Sequence, residues 1–322
     1  PPQMMRGGDW FQGTADAVYQ NLNLIQLHNP DLVVVFGADH IYRMDLQQMV
    51  DFHLEREADA TVAALPVPIA EASSFGIINA DHAGRVNDFQ EKPANPPSMP
   101  SDPTRAYASM GNYLFNAKVL VQALKEANER GEHDFGHHVL PHLKETHRVF
   151  AYDFATNKVP GTKPYEEPAY WRDVGTRDAY FNAHQDLLGL TPRFDMFNPQ
   201  WRIFSSNYQG PVARLFDARI HNSVIAAGSM VRQATISNTI IRREVTIEDG
   251  VEIEDCLIQD YVHIKRGAKL RRAIIGGYNV IEAGTRIGHD LEQDRSLYQV
   301  TQGGITVVGP REVTSTMRAF SE

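Results

Sequence analysis

Cysteine is nearly absent: the chain has one, Cys256, so it forms no internal disulfide and takes its stability from packing. Positive charge is also short. The 31 Lys and Arg face 40 Asp and Glu, and a formal charge of -9 repels a phosphate backbone unless the cations gather in one patch. No nucleic-acid partner is expected. Long apolar runs are missing as well. Although 42% of the residues are hydrophobic, no stretch approaches the ~18–20 consecutive apolar residues that cross a bilayer. No membrane partner is expected, and with no basic-then-apolar leader at its start the chain is expected in the cytoplasm. What is present, 322 residues of ordinary hydrophobic content, suits two folded domains at about 100–200 residues each.

Helical periodicity begins at Thr14, the predicted N-cap, and continues through Val18, Leu22 and Ile25. Residues 32–36, Leu-Val-Val-Val-Phe, form an unbroken apolar run that suits a strand buried on both faces of a sheet. A helix capped by Asp45 and reaching about 57 follows. Strands are predicted at 61–67, 85–89, 107–115 and 149–154, with helices from 117, at 135–144 and at 177–190. This alternation predicts an α/β domain over 1–191 with a mostly parallel sheet, whose ligands gather at the carboxyl ends of the strands. Residues 192–211 are aperiodic, contain Pro and Asn, and read as a linker. The sequence opens on Pro1, Pro2 and Gln3 without a Met, and an upstream segment is expected to precede it.

Beyond the linker the texture changes to an internal repeat. Rows starting at Val245, Val262 and Asn279 recur every 17 residues, with Gly250, Gly267 and Gly284 in register and Ile247, Ile264 and Ile281 three positions before them. An earlier, less regular row carries Ile225 and Gly228. A short strand, a Gly turn and another short strand cannot bury one side alone, so the coils must stack. The expectation is a β-helix within 212–322, with the three isoleucines in one inward column.

Several constellations are chemically suggestive. Asp39, in Gly37-Ala38-Asp39-His40 at the end of the strand at 32–36, either holds Mg²⁺ against substrate phosphates or caps the next turn. Lys92, in Glu91-Lys92-Pro93, is either a point charge for a phosphate, beside a carboxylate able to take sugar hydroxyls, or half of an exposed ion pair. Asp173, in Tyr170-Trp171-Arg172-Asp173, is a second candidate metal carboxylate, and Thr176 is a predicted N-cap. His133, His137, His138, His142 and His147 include two i, i+4 pairs, yet Pro141 and the lack of a neighbouring Cys favour a solvated face over a zinc site. Lys265, Arg266, Lys269, Arg271 and Arg272 share one coil and either serve an anionic regulator or pair with Glu252, Glu254 and Asp260 of the adjacent coil. Cys256 aligns with Ala273 and is expected to be a small inward hydrophobe. His263, between two inward positions, is expected to face solvent, which disfavours a β-helix acyltransferase with a histidine between its coils.

Seven segments in order carry a resemblance. They are WFQGTADAVYQN from Trp10, GADHIY from Gly37, PVPIAEASSFGI from Pro66, EKPANPPSMPSDP from Glu91, ASMGNYLF from Ala108, HDFG from His133 and YWRDVGT from Tyr170. With the coils that follow, the chain resembles the bacterial glucose-1-phosphate adenylyltransferases (ADP-glucose pyrophosphorylases) of glycogen synthesis over nearly its whole length. The resemblance implies a Rossmann-like nucleotidyltransferase domain followed by a left-handed β-helix for regulation and oligomerisation. It also implies ATP and glucose 1-phosphate as substrates, ADP-glucose and pyrophosphate as products, Mg²⁺ as cofactor, small anionic allosteric effectors and a homotetramer. By carry-over, Asp39 and Asp173 look like the Mg²⁺ pair and Lys92 like the sugar-phosphate clamp. Glu91 and Ser109 look like contacts to glucose, Gly76 like a point of close backbone approach, and Trp10 and Phe11 like part of an aromatic loop near the nucleotide sugar. Family members often carry Tyr at the position of Phe11, which puts a hydroxyl contact there in doubt. The family's opening strand and Gly-rich loop have no match before Trp10, so the chain is expected to be a fragment with impaired activity. The alternatives are a non-catalytic regulatory subunit of the same family, or a related enzyme using another nucleoside triphosphate.

Overall fold

Gly13, not Thr14, occupies the N-cap of the first helix, α1 (Thr14–Tyr19). The Thr14 hydroxyl is engaged elsewhere: it donates to Asp134 Oδ2 at 2.9 Å and accepts from the Phe135 N–H at 3.1 Å. The predicted helix also breaks, with α2 spanning Leu22–His28. At the break the Asn21 side chain donates to the Ala17 carbonyl at 2.8 Å, the kind of local bond by which Asn competes with helical pairing.

The computed structural model describes residues 10–204 and 208–311. Pro1, Pro2 and Gln3, positions 205–207 of the expected linker and positions 312–322 of the expected β-helix domain lie outside the described residues. The chain divides into two units, one of Pro1–Ala38 with Arg43–Val159 and one of Asp39–Tyr42 with Pro160–Glu322.

In the first unit, β1 (Leu32–Val35), β3 (Ala60–Pro68), β4 (Gly76–Ala80), β5 (Val86–Glu91), β6 (Arg105–Asn116) and β7 (Val149–Asp153) form one sheet; β2 (His40–Tyr42) belongs to the second unit. Strand β6 is long enough to pair with β3 along one edge while β4 and β1 share the other. Strands β1, β3, β4 and β7 run the same way and β5 and β6 oppose them, so most strand directions agree as expected. The hydrogen-bonded pairs are nevertheless antiparallel except β3 with β7, because β6 lies between strands of common direction. The apolar run at 32–36 departs from expectation: among the described residues β1 has one strand neighbour, β6, and Val34 and Phe36 are 37% and 43% exposed. Its hydrophobicity therefore does not reflect burial on both faces.

Helix α3 (Leu46–Glu55) starts where Asp45 accepts from the Gln47 N–H at 3.0 Å, as its capping position predicts. Helix α4 (Ala117–Glu129) buries Leu120, Ala123, Leu124 and Ala127 in the core that also holds Tyr113, Phe115 and Phe135, an i, i+3, i+4, i+7 stripe. A π turn over Phe135–Val139 leads into α5 (Leu140–Thr146).

In the second unit, β2 pairs with β8 (Trp171–Asp173), and α6 (Arg177–Gln185) begins where Thr176 accepts from the Ala179 N–H at 3.2 Å. The rest is the β-helix, with short parallel strands repeated coil on coil. One column runs Leu215, Val231, Ile247, Ile264, Ile281, and another Ile220, Ile236, Ile253, Leu270, Ile287. Ile247, Ile264 and Ile281 stack as expected, at 0%, 0% and 5% exposed. Gly250, Gly267 and Gly284 take φ of 73°, 69° and 72°, left-handed backbone that explains why glycine recurs at the turn. Cys256 pairs with Ala273 and is fully buried, and burial pushes its thiol up to about 12. Phe181 of α6 packs with Ile240, Leu257 and Ile274 of the β-helix. The segment 288–305, with α7 (Leu291–Leu297), interrupts the last coil before Thr306–Val308 rejoins the stack beside Ala273–Ile275.

Two outcomes follow from this packing. Ile264→Asn leaves an unpaired amide in a dry column, and a loss of ~3 kcal/mol is expected as a lower urea midpoint; Lys269→Asn on the surface of the same coil should leave the midpoint nearly unchanged. The second concerns His53, buried with its Nδ1 at 2.8 Å from Thr61 Oγ1 and its Nε2 at 3.3 Å from Asn116 Oδ1. Burial lowers its pKa from 6.5, against smaller raising effects from Asn116 and Asp59. The unfolded chain then binds the proton more readily, so this contribution is complete above about pH 6.5 and falls away as pH drops toward the native value. Thermal melting across pH 5–8 should show a low-pH decline that is shallower in His53→Gln.

Candidate active site

The ribbon of β2 and β8 pairs His40 with Asp173, Ile41 with Arg172 and Tyr42 with Trp171, and the Val174 N–H donates to the Asp39 carbonyl at 3.0 Å. Asp39 and Asp173 are thereby neighbours. A Cβ at Gly175 would stand 3.1 Å from Asp173 Oδ1 and 4.0 Å from Asp39 Oδ2, so glycine leaves open the space on which both carboxylates converge. Asp173 Oδ1 also accepts from the Gly175 N–H at 2.7 Å. The Asp39 side chain is 64% exposed. Two open, hard carboxylates suit Mg²⁺, which keeps several waters and shares phosphate oxygens rather than filling an all-protein cage. The residues present fit that ion.

The back of the ribbon is anchored by Arg172. Its guanidinium takes both oxygens of Glu167 at 2.9 and 2.6 Å and Asp186 Oδ2 at 3.1 Å, and it lies 4.2 Å from the Tyr170 ring centroid. These bonds hold the Glu167 carboxyl below its ordinary range. Burial, with the nearby Asp186 carboxylate, raises the Tyr170 phenol, which donates to that carboxylate.

In the first unit Gly76 pairs with Glu91 in the β4–β5 ladder. A Cβ at Gly76 would lie 2.8 Å from Glu91 Oε2 and 3.1 Å from the Phe89 ring, so a side chain there would push the Glu91 carboxylate aside and press on the ring. Lys92 has a left-handed backbone, φ 45°, pinned by its N–H donating to the Phe75 carbonyl at 3.0 Å. Its ammonium is exposed, 3.8 Å from Glu91 Oε1. Ser109 sits where the β3–β6 register shifts between Val62 and Ala64, and its Oγ accepts from the Gly111 N–H at 3.3 Å. Tyr113 joins these residues. Burial pushes its phenol up to about 12, opposed by a hydrogen bond with Ser109 and reinforced by the Asp134 and Glu91 carboxylates. Asp134 in turn holds Thr14 and accepts from the His137 N–H at 2.9 Å, tying the segment after Trp10 and Phe11 to this cluster. Trp10 is exposed and Phe11 half-buried.

Glu91, Lys92, Gly76 and Ser109 thus gather in one unit and Asp39 and Asp173 in the other. Sequence reasoning did not assign roles to Tyr113 or Asp134. Tyr113 reads as one more apolar residue of a strand, and the motif HDFG was the available signal for Asp134.

Most of the remaining candidates are engaged. His138 Nδ1 accepts from the Asp134 N–H at 3.3 Å, His142 lies 3.1 Å from Glu132, and His147 lies 2.8 Å from the Thr146 hydroxyl. Lys265 meets Glu282 at 2.8 Å, Lys269 meets Glu252 at 2.8 Å, Arg271 meets Glu254 at 3.5 Å and Arg266 meets Asp249 at 3.7 Å. Arg272 bonds the Gly303 carbonyl at 3.3 Å. Charge pairing between coils, one of the two readings of this cluster, is what the structure contains, although Asp260 pairs with Arg242 and Arg243 instead. His263 is half-exposed and pairs with Glu248 at 2.8 Å.

A family model described as nucleotidyl transferase matches residues 3–189, and one described as GlmU-like, C-terminal hexapeptide matches residues 213–308. A glucose-1-phosphate adenylyltransferase of Thermodesulfovibrio yellowstonii is 52% identical over 309 residues, 96% of this chain and 75% of that one. Enzymes of the same name from Corynebacterium jeikeium and an Anaeromyxobacter species are 42% and 44% identical, covering 97% and 96% of this chain and 78% and 77% of theirs. No helix among the described residues is long and apolar enough to cross a membrane. With a nucleotidyltransferase domain, a hexapeptide-type β-helix and these relatives, the chain belongs to the glucose-1-phosphate adenylyltransferase family.

Proposed function

We propose that this chain transfers the adenylyl group of ATP to glucose 1-phosphate, forming ADP-glucose for glycogen-type α-glucan synthesis and releasing pyrophosphate. The observation that carries the reading is the convergence of Asp39 and Asp173 beside Gly175, in a chain whose relatives bear that enzyme name. A phosphate oxygen of the sugar phosphate bonds to the α-phosphorus as the bond to the β-phosphate oxygen breaks, and the electron pair leaves with pyrophosphate. Such chemistry asks the protein mainly for positioning and charge. Asp39 and Asp173 are the residues that would hold Mg²⁺, which supplies neutralisation of the phosphate charge when bound.

Lys92 is the counter-charge for the sugar phosphate, a compact ammonium on a backbone fixed by Phe75. Glu91 and Ser109 are hydrogen-bonding partners for glucose hydroxyls, beside Gly76. Trp10 and Phe11 face the nucleotide sugar. In this reading residues 1–191 carry catalysis, 192–211 connect, and 212–322 serve oligomerisation and regulation, with a homotetramer and small anionic effectors as in the family. The cytoplasm is its compartment. Pyrophosphate release with glucose 1-phosphate and each of the four nucleoside triphosphates tests the reading. A preference for UTP, dTTP or GTP over ATP would overturn it.

Two substitutions separate the roles. Lys92→Ala should raise the KM for glucose 1-phosphate at least tenfold more than that for ATP, since only one substrate loses its counter-charge; equal effects would make the lysine structural. Asp39→Asn keeps shape and removes charge, and kcat at saturating Mg²⁺ should fall about a hundredfold, roughly 2.7 kcal/mol. Its melting temperature should barely change, because the carboxylate is exposed.

A further inference from the structure

We infer that His40 is a positioning residue for the Asp39 carboxylate. The inference rests on the reading of Asp39 and Asp173 as the Mg²⁺ pair. His40 follows Asp39 in the chain and stands directly across the ribbon from Asp173. Directly opposed residues of an antiparallel pair point to the same face, so the imidazole has one carboxylate beside it by sequence and the other by register. Its Nε2 is 3.7 Å from Asp39 Oδ1. The other side of the ring is fixed by packing: its centroid is 4.9 Å from that of Trp171, and the side chain is 15% exposed. Nδ1 is buried and has no hydrogen-bond partner among the described residues.

That asymmetry selects a tautomer. An N–H at Nδ1 would be a buried donor with no acceptor, which is costly, whereas an N–H at Nε2 points toward a carboxylate. At 3.7 Å the contact is longer than a hydrogen bond, so it steers the carboxylate without clamping it. Asp39 is the more exposed partner, and without the imidazole it would lose more rotational freedom on binding an ion. Outer groups that orient metal ligands typically change affinity ~10–100-fold when removed.

The test is Mn²⁺ binding to the full chain, read from the electron paramagnetic resonance signal of the free ion, with thermal melting as a control for folding. His40→Leu is expected to weaken Mn²⁺ affinity ~10–100-fold. His40→Gln, which keeps an N–H of similar reach, is expected to stay within about threefold of the unmutated chain. The Mg²⁺ concentration giving half-maximal rate should rise in the leucine variant while the KM for glucose 1-phosphate stays put. If His40→Leu does not fold, His40→Asn, polar but too short to reach Asp39, takes its place with the same expected loss. Unchanged affinity in the leucine or asparagine variant overturns the inference. So does equal loss in the glutamine variant, because packing of the ring is then enough. Asp39→Asn separates the two levels: if it too binds Mn²⁺ normally, or the unmutated chain binds none, the metal assignment itself falls and the inference with it.

Discussion

The antiparallel pairing of β2 with β8 carries Asp39 and Asp173, distant in sequence, onto one strip of backbone. Two carboxylates held close repel by about 1 kcal/mol at 4 Å in water, and more where solvent is displaced. A ribbon of three residues a side has few hydrogen bonds with which to resist. Strand β8 is held in addition from its other face, where Arg172 is gripped by Glu167 and Asp186 and stacked on Tyr170. Because side chains alternate along a strand, Arg172 and Asp173 occupy opposite faces of β8. The clamp fixes β8 to the segments that carry Glu167 and Asp186 and does not use the side of the strand on which Asp173 stands.

The cluster in the first unit is ordered differently, by crowding. Gly76 and Gly136 both face the Phe89 ring, where a Cβ on either would come within 3.1 and 3.3 Å of it. The missing side chains let Phe89 seat deeply and bring Glu91 over Gly76. Tyr113, enclosed and bonded to Ser109, and Asp134, anchored by Thr14 and the His137 N–H, complete a cluster with few degrees of freedom. Lys92 is the exposed member, with a left-handed backbone and an ammonium that meets Glu91 at the long distance of 3.8 Å, as suits a charge that must turn to a phosphate.

How much of this could be read beforehand depended on how strongly each element constrains its own residues. The β-helix demands glycine at a left-handed turn and an apolar residue at fixed spacing, so its columns were visible as a 17-residue period. The pairing of β2 with β8 was not, because three-residue strands show no periodicity and register is a tertiary property. Asp39 and Asp173 were nameable as carboxylates at strand ends, but not as neighbours. Thr14 has the right chemistry for an N-cap, while its partner in the fold, Asp134, lies 120 residues away. Helix α6 ends at Gln185 rather than near 190; Asp186, next in sequence, is held by Tyr170 and Arg172, and Gly189 follows at φ 100°.

The ion pairs on the outside of the β-helix link positions one coil apart: Glu252 with Lys269, Glu254 with Arg271, Lys265 with Glu282. Each is exposed and worth little as a single bond. Their spacing, however, is that of the isoleucine columns inside, so the same offset is encoded twice, once in apolar shape and once in sign of charge. A slip by one residue would turn the isoleucines outward and bring unlike charges out of step together. Lengthening or shortening such a stack is therefore possible only by whole coils. Outside, Lys269 faces Glu252 on one neighbouring coil and Arg286 on the other, so the surface distinguishes one junction between coils from the next where the inner columns only repeat.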